Sequence, residues 1–161
     1  MKAPSDGGVA IPPEGQVFRG HYEHTIDPKG RLSIPAKFRE ALAGLGDELV
    51  IVPNGQGLDV HPLKVWQELE DKVSALPRLD PDKRRFRHRY LSRGLDVSLD
   101  AQGRIQVAQK YREAAGLVKN VVIIGMTEYF EVWDLERWGH HERDDGGPLD
   151  ELYEKLSIKG V

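Results

Sequence analysis

Apolar positions along the chain follow two periods, and the changes from one to the other mark out its elements. Polar and apolar residues alternate over Arg31-Leu32-Ser33-Ile34, which predicts a strand with Leu32 and Ile34 facing a core and Arg31 and Ser33 facing outward. Pro35 can open a short helix as its first residue, with Lys37 to Ala43 following and Gly44 and Gly46 ending it. Glu48 to Val52 reads as a buried strand, followed by a Pro-Asn-Gly-Gln-Gly turn and a strand around Leu58 to Val60. From Pro62 the spacing becomes helical. Leu63, Trp66, Leu69, Val73 and Leu76 form one apolar stripe that Pro77 terminates. Asp80 and Pro81 then supply the cap and first residue of a second helix running to about Ser92.

The same series returns further along the chain. A shift of 73 sets Thr25-Ile26-Asp27-Pro28-Lys29-Gly30-Arg31-Leu32-Ser33-Ile34 beside Ser98-Leu99-Asp100-Ala101-Gln102-Gly103-Arg104-Ile105-Gln106-Val107. The match runs on through Lys37-Phe38-Arg39-Glu40-Ala41 and Lys110-Tyr111-Arg112-Glu113-Ala114, then Leu49-Val50-Ile51 and Val122-Ile123-Ile124. After a one-residue slip, Leu63 and Trp66 fall opposite Leu135 and Trp138. An in-order match of this length implies two copies of one unit, residues 17 to 90 and 91 to 161. Each copy divides into a β-rich part (17–63, 91–137) and a helical part (64–90, 138–161). In the second helical part Asp145-Gly146-Gly147-Pro148 interrupts the helix begun at Leu135, and Leu149 to Leu156 forms a last short one. The fold class is therefore α+β and β-rich.

Composition narrows the function. The chain has 161 residues, with 23 Lys plus Arg against 26 Asp plus Glu, a formal net charge of -3. A globally basic nucleic-acid binder is excluded, so any contact with nucleic acid must rest on local clustering. Cysteine is absent, which removes disulfides, thiolate metal sites and cysteine nucleophiles. No apolar run reaches membrane-spanning length and the N-terminus lacks the features of a secretory signal, so the expectation is a soluble, cytoplasmic protein. Residues 1 to 16, with three Pro, three Gly and little apolar content, are expected to be disordered.

The turn Asp27-Pro28-Lys29-Gly30 suits type I geometry, with Asp first, Pro second and Gly fourth. Asp27 and Asp100 could be read as a carboxylate pair for acid/base chemistry, but a turn-capping Asp that accepts backbone N–H bonds and orients the Arg four residues on accounts for both copies. Arg31 and Arg104 are then either surface arginines paired with those aspartates or exposed donors for a ligand. The strongest basic run is Lys83-Arg84-Arg85-Phe86-Arg87-His88-Arg89-Tyr90 with Arg93. Helical spacing puts Phe86 and Tyr90 on one face, so its arginines either solvate a packed linker helix, bind DNA, or pair with acidic residues of a neighbouring subunit such as Glu142, Asp144, Asp145, Asp150, Glu151 and Glu154. His21-x-x-His24 would point to opposite faces of a strand, and His140-His141 has no suitably spaced partner, so no metal site is expected. Trp66, Trp133 and Trp138 are expected in the core or an interface. No phosphate cradle or nucleophile elbow is present, and neither an enzyme nor a bound cofactor is expected.

Phe18-Arg19-Gly20, Asp27-x-x-Gly30-Arg31 with Pro35-x-x-Phe38-Arg39, and the second Asp100-x-x-Gly103-Arg104 together resemble the MraZ family, related to the swapped-hairpin AbrB-like regulators. The resemblance covers nearly all of residues 17 to 156. Val17 stands where members begin with Met, one explanation being an alternative start codon that leaves the first residues untranslated. The resemblance implies two tandem AbrB-like swapped-hairpin half-barrels packed together, each followed by helices, with chains assembling into a ring. It also implies binding to direct repeats of double-stranded DNA in the promoter of the division and cell-wall gene cluster, including the protein's own gene, in a nucleoid-associated regulator with no membrane or small-molecule partner. The family's contact positions fall on Lys29, Gly30 and Arg31 in the first copy and Arg104 in the second, with Asp27, Asp100 and Gly103 shaping the turns. The second copy has Gln102 where the first has Lys29, a departure that bears on equal DNA contact by the two halves. The competing reading from the residues is an oligomeric protein-interaction module built on the basic helix.

Overall fold

The computed structural model describes residues 17–144 and 147–161; the expectation for residues 1 to 16, and residues 145 and 146 of the interruption, lie outside these. The first copy forms β1 (His21–Thr25), β2 (Arg31–Ser33), α1 (Ala36–Ala43), β3 (Glu48–Pro53), β4 (Leu58–Pro62), α2 (Leu63–Ser74) and α3 (Pro81–Arg89). A short 3-10 turn, Leu91–Arg93, leads into β5 (Leu95–Ser98), β6 (Arg104–Gln106), α4 (Gln109–Ala115), β7 (Asn120–Gly125), β8 (Phe130–Asp134), α5 (Leu135–Asp144) and α6 (Leu149–Ile158).

The copies do not build separate sheets. One six-stranded antiparallel sheet runs in the order β1-β7-β8-β4-β3-β5, so the first strand of each copy pairs with the third strand of the other. A two-stranded ribbon, β2 with β6, pairs Arg31 with Gln106, Leu32 with Ile105 and Ser33 with Arg104. This is the swapped-hairpin arrangement. A pseudo-two-fold axis passes between Leu32 and Ile105 in the ribbon and between Asp59 and Glu131 where β4 meets β8.

Period-2 alternation assigns the sheet's two faces. Leu49, Ile51, Val121 and Ile123 point inward to a core completed by Leu32 and Ile105 of the ribbon and by Phe38 and Leu42 of α1. Phe18, Phe38 and Phe130 meet at its centre with ring centroids 5.1 to 5.3 Å apart. Val50 and Val52 point outward to Trp66 of α2, and Val122 and Ile124 point outward with Trp133 of β8, where Leu135 and Trp138 of α5 pack against them. Helices thus cover the outer face as well, which is why β3 and β7 are continuous apolar runs.

The inward-outward parity also relocates the slip in the repeat. β3 and β7 share one burial pattern, exposed at the first residue and half-buried at the last, and Glu48 therefore corresponds to Asn120, a shift of 72. A shift of 73 would set inward Leu49 against outward Val122 and reverse the faces. The missing residue lies earlier than the sequence match suggests, at the end of the first helix of each copy, where α1 has eight residues and α4 seven. Two helix ends also differ from expectation. Pro35 is the residue before α1 rather than its first, and α2 stops at Ser74, leaving Leu76 beyond it and 43% exposed.

On the outer face a buried polar cluster ties α3 to the sheet. The Tyr90 hydroxyl donates to Asp59 Oδ2, and Asn54 Nδ2 donates to Oδ1 at 2.6 Å. His61 Nε2 lies 3.0 Å from the Tyr90 hydroxyl, whose proton is engaged by Asp59, so Nε2 is the donor and Nδ1 carries no proton. Burial lifts the Asp59 carboxyl from 3.8 to about 6, despite the hydrogen bonds from Tyr90 and Asn54 that favour its anion. Burial lowers His61 from 6.5 to about 4.

These two groups should tilt stability in opposite directions. Between about pH 4 and 6 native Asp59 holds a proton that the unfolded chain has lost, so its contribution falls as pH rises. Unfolded His61 takes up a proton below 6.5 while the native ring stays neutral to about 4, so its contribution falls as pH drops. Each slope amounts to about 3 kcal/mol across the window, and the two largely offset. Urea denaturation from pH 4.5 to 6.5 is expected to show stability rising with pH in Asp59→Asn and falling with pH in His61→Phe. Parallel profiles in the two variants would refute the assignment.

Candidate nucleic-acid interface

Each hairpin turn is closed by its own aspartate. Asp27 Oδ1 accepts from the backbone N–H of Lys29 and of Arg31, both at 2.9 Å, and Oδ2 accepts from Arg31 Nε at 2.6 Å. Gly30 N–H donates to the Asp27 carbonyl at 2.9 Å, completing the turn. The second copy repeats this arrangement atom for atom: Asp100 Oδ1 accepts from Gln102 and Arg104 N–H at 2.8 and 2.9 Å, and Oδ2 from Arg104 Nε at 2.9 Å. The N–H groups of Arg31 and Arg104 are the largest influence holding the two carboxyls below the usual carboxylate range, with the guanidinium hydrogen bonds adding to it. Both aspartates are therefore anionic at neutral pH.

Pairing of β2 with β6 brings the two turns together. Leu32 and Ile105 face the core, so Arg31, Ser33, Arg104 and Gln106 share the outer face of the ribbon. Arg31 and Arg104 sit diagonally across it, about 7–8 Å apart by sheet geometry. Their side chains are 39% and 29% exposed. Each aspartate engages only the Nε edge, and the Nη donors of both have no partner among the described residues. Lys29 lies exposed on the first turn, where its carbonyl accepts from Gln106 Nε2 at 3.0 Å. The ribbon thus presents oriented donors on its outer face.

The turn glycines are where each copy docks on the other. Gly30 has φ +84° and Gly103 φ +73°, left-handed values that disfavour side chains. The Gly30 carbonyl accepts from Val107 N–H at 2.7 Å, and the Gly103 carbonyl accepts from Ile34 N–H at 3.0 Å. Arg112 Nε donates to the Val107 carbonyl at 3.0 Å and Arg39 Nε to the Ile34 carbonyl at 3.1 Å. Each arginine also lies against the turn glycine of the other copy. Sequence reasoning missed this role, although Lys-aromatic-Arg-Glu-Ala appears in both copies, and it left Gln106 unremarked despite the alternation in Arg104-Ile105-Gln106.

Other candidates are not at this site. Helix α3 packs through Tyr90 against Val50 and Val52 on the outer face of the large sheet, while the ribbon closes the inner side. The basic run therefore lies on the opposite side of the sheet from Arg31 and Arg104. Within it Lys83 is buried, and its Nζ donates to the carbonyls of Ser74 and Leu76 at 3.1 and 2.9 Å, closing the end of α2. His21 and His24 lie on opposite faces of β1, and no group of three or more His, Cys, Asp or Glu among the described residues could hold a metal ion. No helix among them is long and apolar enough to cross a membrane.

Comparison with known proteins places this geometry in a family. The family described as "MraZ protein, putative antitoxin-like" matches residues 17–89 and 92–148. A transcriptional regulator MraZ from Acetivibrio thermocellus is 38% identical over 149 residues, 90% of this chain and all of the relative. One from Herpetosiphon aurantiacus is 42% identical over 76% of this chain and 84% of its own length, and one from Heliobacterium modesticaldum is 41% identical over 87% and 96%.

The two turn glycines should differ in their tolerance of a methyl group. A Cβ at Gly103 would come 2.4 Å from Arg39 Cδ, on a side chain that can move, whereas one at Gly30 would come 2.2 Å from the Val107 carbonyl oxygen, a backbone atom whose own N–H is tied to the Gly30 carbonyl. Chemical denaturation is expected to show Gly103→Ala costing roughly 1–3 kcal/mol, mainly backbone strain, and Gly30→Ala costing above about 4 kcal/mol. Equal losses would mean that the ribbon shifts freely.

Proposed function

The chain belongs to the MraZ family, and from that premise we propose that it is a sequence-specific, DNA-binding transcriptional regulator that reads double-stranded DNA with the β2–β6 ribbon. The observation that carries this is the pair of aspartate-oriented guanidiniums, Arg31 and Arg104, on one solvent-facing side of that ribbon. Strands lie about 4.8 Å apart, so a two-stranded ribbon fits a major groove about 12 Å wide. Nη donors left free by Asp27 and Asp100 can bond guanine edges or phosphates, and orientation by the carboxylate reduces the rotamer freedom lost on contact. Lys29 supplies a point charge for phosphate. Ser33 and Gln106 add neutral groups on the same face.

Within this reading residues 17–63 and 91–137 are the DNA-facing units, 64–90 the helical connection and 138–161 a helical tail. The target is a set of direct repeats upstream of the division and cell-wall gene cluster, including the chain's own gene, engaged by a homo-oligomeric ring on the nucleoid. Repetition of the ribbon around a ring multiplies weak contacts through effective concentration. A net charge of -3 is compatible with this because one face alone meets the phosphates.

Binding of the purified protein to the DNA upstream of its gene, against a scrambled duplex, tests the reading. Affinity is expected to fall steeply from about 50 to 200 mM salt, and Arg31→Ala is expected to abolish the preference while leaving oligomer mass and circular dichroism unchanged. Arg104→Ala should weaken binding and lower the salt slope by about 1 per engaged contact. Wild-type affinity in Arg31→Ala would remove the ribbon from the interface.

A further inference from the structure

The pseudo-two-fold axis of the ribbon repeats its arginines but not their neighbours. In register, Arg31 lies opposite Gln106 and Ser33 opposite Arg104. Rotation about the axis exchanges Arg31 with Arg104 and Gln106 with Ser33, so one guanidinium stands beside a long amide and the other beside a short hydroxyl. Gln106 and Ser33 are both exposed, on the outer face that the arginines share. Neither carries charge, so neither adds to a salt-dependent attraction for phosphates. A difference between them bears on which bases are read rather than on how strongly the backbone is held.

Gln106 is also held in place. Its Nε2 donates to the Lys29 carbonyl at 3.0 Å, on the turn of the other copy. A carbonyl only accepts, so the amide atom facing it is the nitrogen and the flipped amide is excluded. One N–H is used there, while the second N–H and Oε1 have no partner among the described residues. A donor and an acceptor on one planar group complement the N7 acceptor and N6 donor of adenine in the major groove. The arginines only donate, which suits guanine, and the Ser33 hydroxyl bonds either kind of group and discriminates little. Lys29 thus does for Gln106 what Asp27 does for Arg31: it fixes one edge of the group and leaves the other free, which reduces the rotamer freedom lost on contact.

We propose, on the reading of the ribbon as the DNA-facing surface, that Gln106 is a specificity-determining residue: it reads an adenine in the base pair next to the guanine read by Arg31. Directly opposed residues of an antiparallel pair have Cβ atoms about 4.5–5.5 Å apart, and base pairs stack about 3.4 Å apart, so two long side chains set this way reach successive base pairs. The Arg104 half has no equivalent, because Ser33 takes the corresponding position. One half of the ribbon therefore reads a guanine with its adjoining adenine, and the other half reads a guanine alone.

Selection of duplexes from a randomised library by the purified full chain is expected to return a motif with adenine in a base pair adjoining a guanine. Gln106→Ala should leave circular dichroism and the other positions of the motif unchanged while that one position becomes degenerate, its preference for adenine falling about ten-fold. The salt dependence of affinity should stay as in the wild type, because no charge is removed. Replacing that adenine with 7-deaza-adenine, which pairs normally but lacks the N7 acceptor, should lower wild-type affinity several-fold and leave that of Gln106→Ala nearly unchanged. A Gln106→Ala protein that loses affinity equally for all sequences would make Gln106 a mere prop for Lys29 and overturn the proposal. An unchanged motif, or the same deaza penalty in both proteins, would overturn it too. A wild type that selects no sequence at all would instead sink the DNA-facing reading of the ribbon, and this assignment with it.

Discussion

Strand exchange between the two copies is the constraint on which the rest of the fold depends. The backbone of β1 is paired by β7, and that of β5 by β3. Separating the copies would leave two rows of peptide groups without partners, and it would strip Leu32 and Ile105 from the core they fill together. Neither half is a folding unit in its own right. Two short sequences that could not each bury enough apolar surface instead share one core, with Phe18 and Phe38 of the first copy packed on Phe130 of the second.

The same exchange creates the exposed ribbon. Were each hairpin paired within its own copy, Arg31 and Arg104 would stand on separate surfaces. Because β2 lies against β6, they share one face, each held by an aspartate that also organises its turn. Local rules and long-range pairing meet at the glycines: Gly30 and Gly103 have positive φ to close their turns, and their carbonyls also anchor the opposite copy. A single residue type thus meets both a conformational and a docking requirement.

Much of this was legible in the residues. The alternation at Leu32 and Ile34, the helical stripe from Leu63, the Asp80-Pro81 cap and the doubled Asp-x-x-Gly-Arg motif are local signals, and local signals survive folding when tertiary contacts agree with them. The exchanged pairing came from family resemblance, since no periodicity says which copy a strand will join. The position of the slip was misjudged because the apolar runs of β3 and β7 look alike at either shift, and only the facing of Leu49 and Val122 separates them. Asp59 is a buried carboxyl within a segment that the residues mark only as a strand. Its partner Tyr90 is 31 positions away, beyond any local pattern. The six Lys and Arg residues from Lys83 to Arg93 announce a basic surface, but nothing local reveals that they lie across the sheet from the ribbon.

The pseudo-two-fold axis through the Leu32–Ile105 pair relates halves that are similar but covalently joined, so each is free to diverge. A symmetric dimer of identical hairpins could sit on a duplex in either of two indistinguishable orientations. Here Lys29 on one turn has Gln102 as its counterpart on the other, at the opposite end of the ribbon, so that one end carries a lysine that the other lacks. The two ends of the ribbon are therefore chemically distinct, as those of a symmetric dimer are not. Only repeats joined in one chain are open to such a difference, because a substitution there alters one half without being copied into the other.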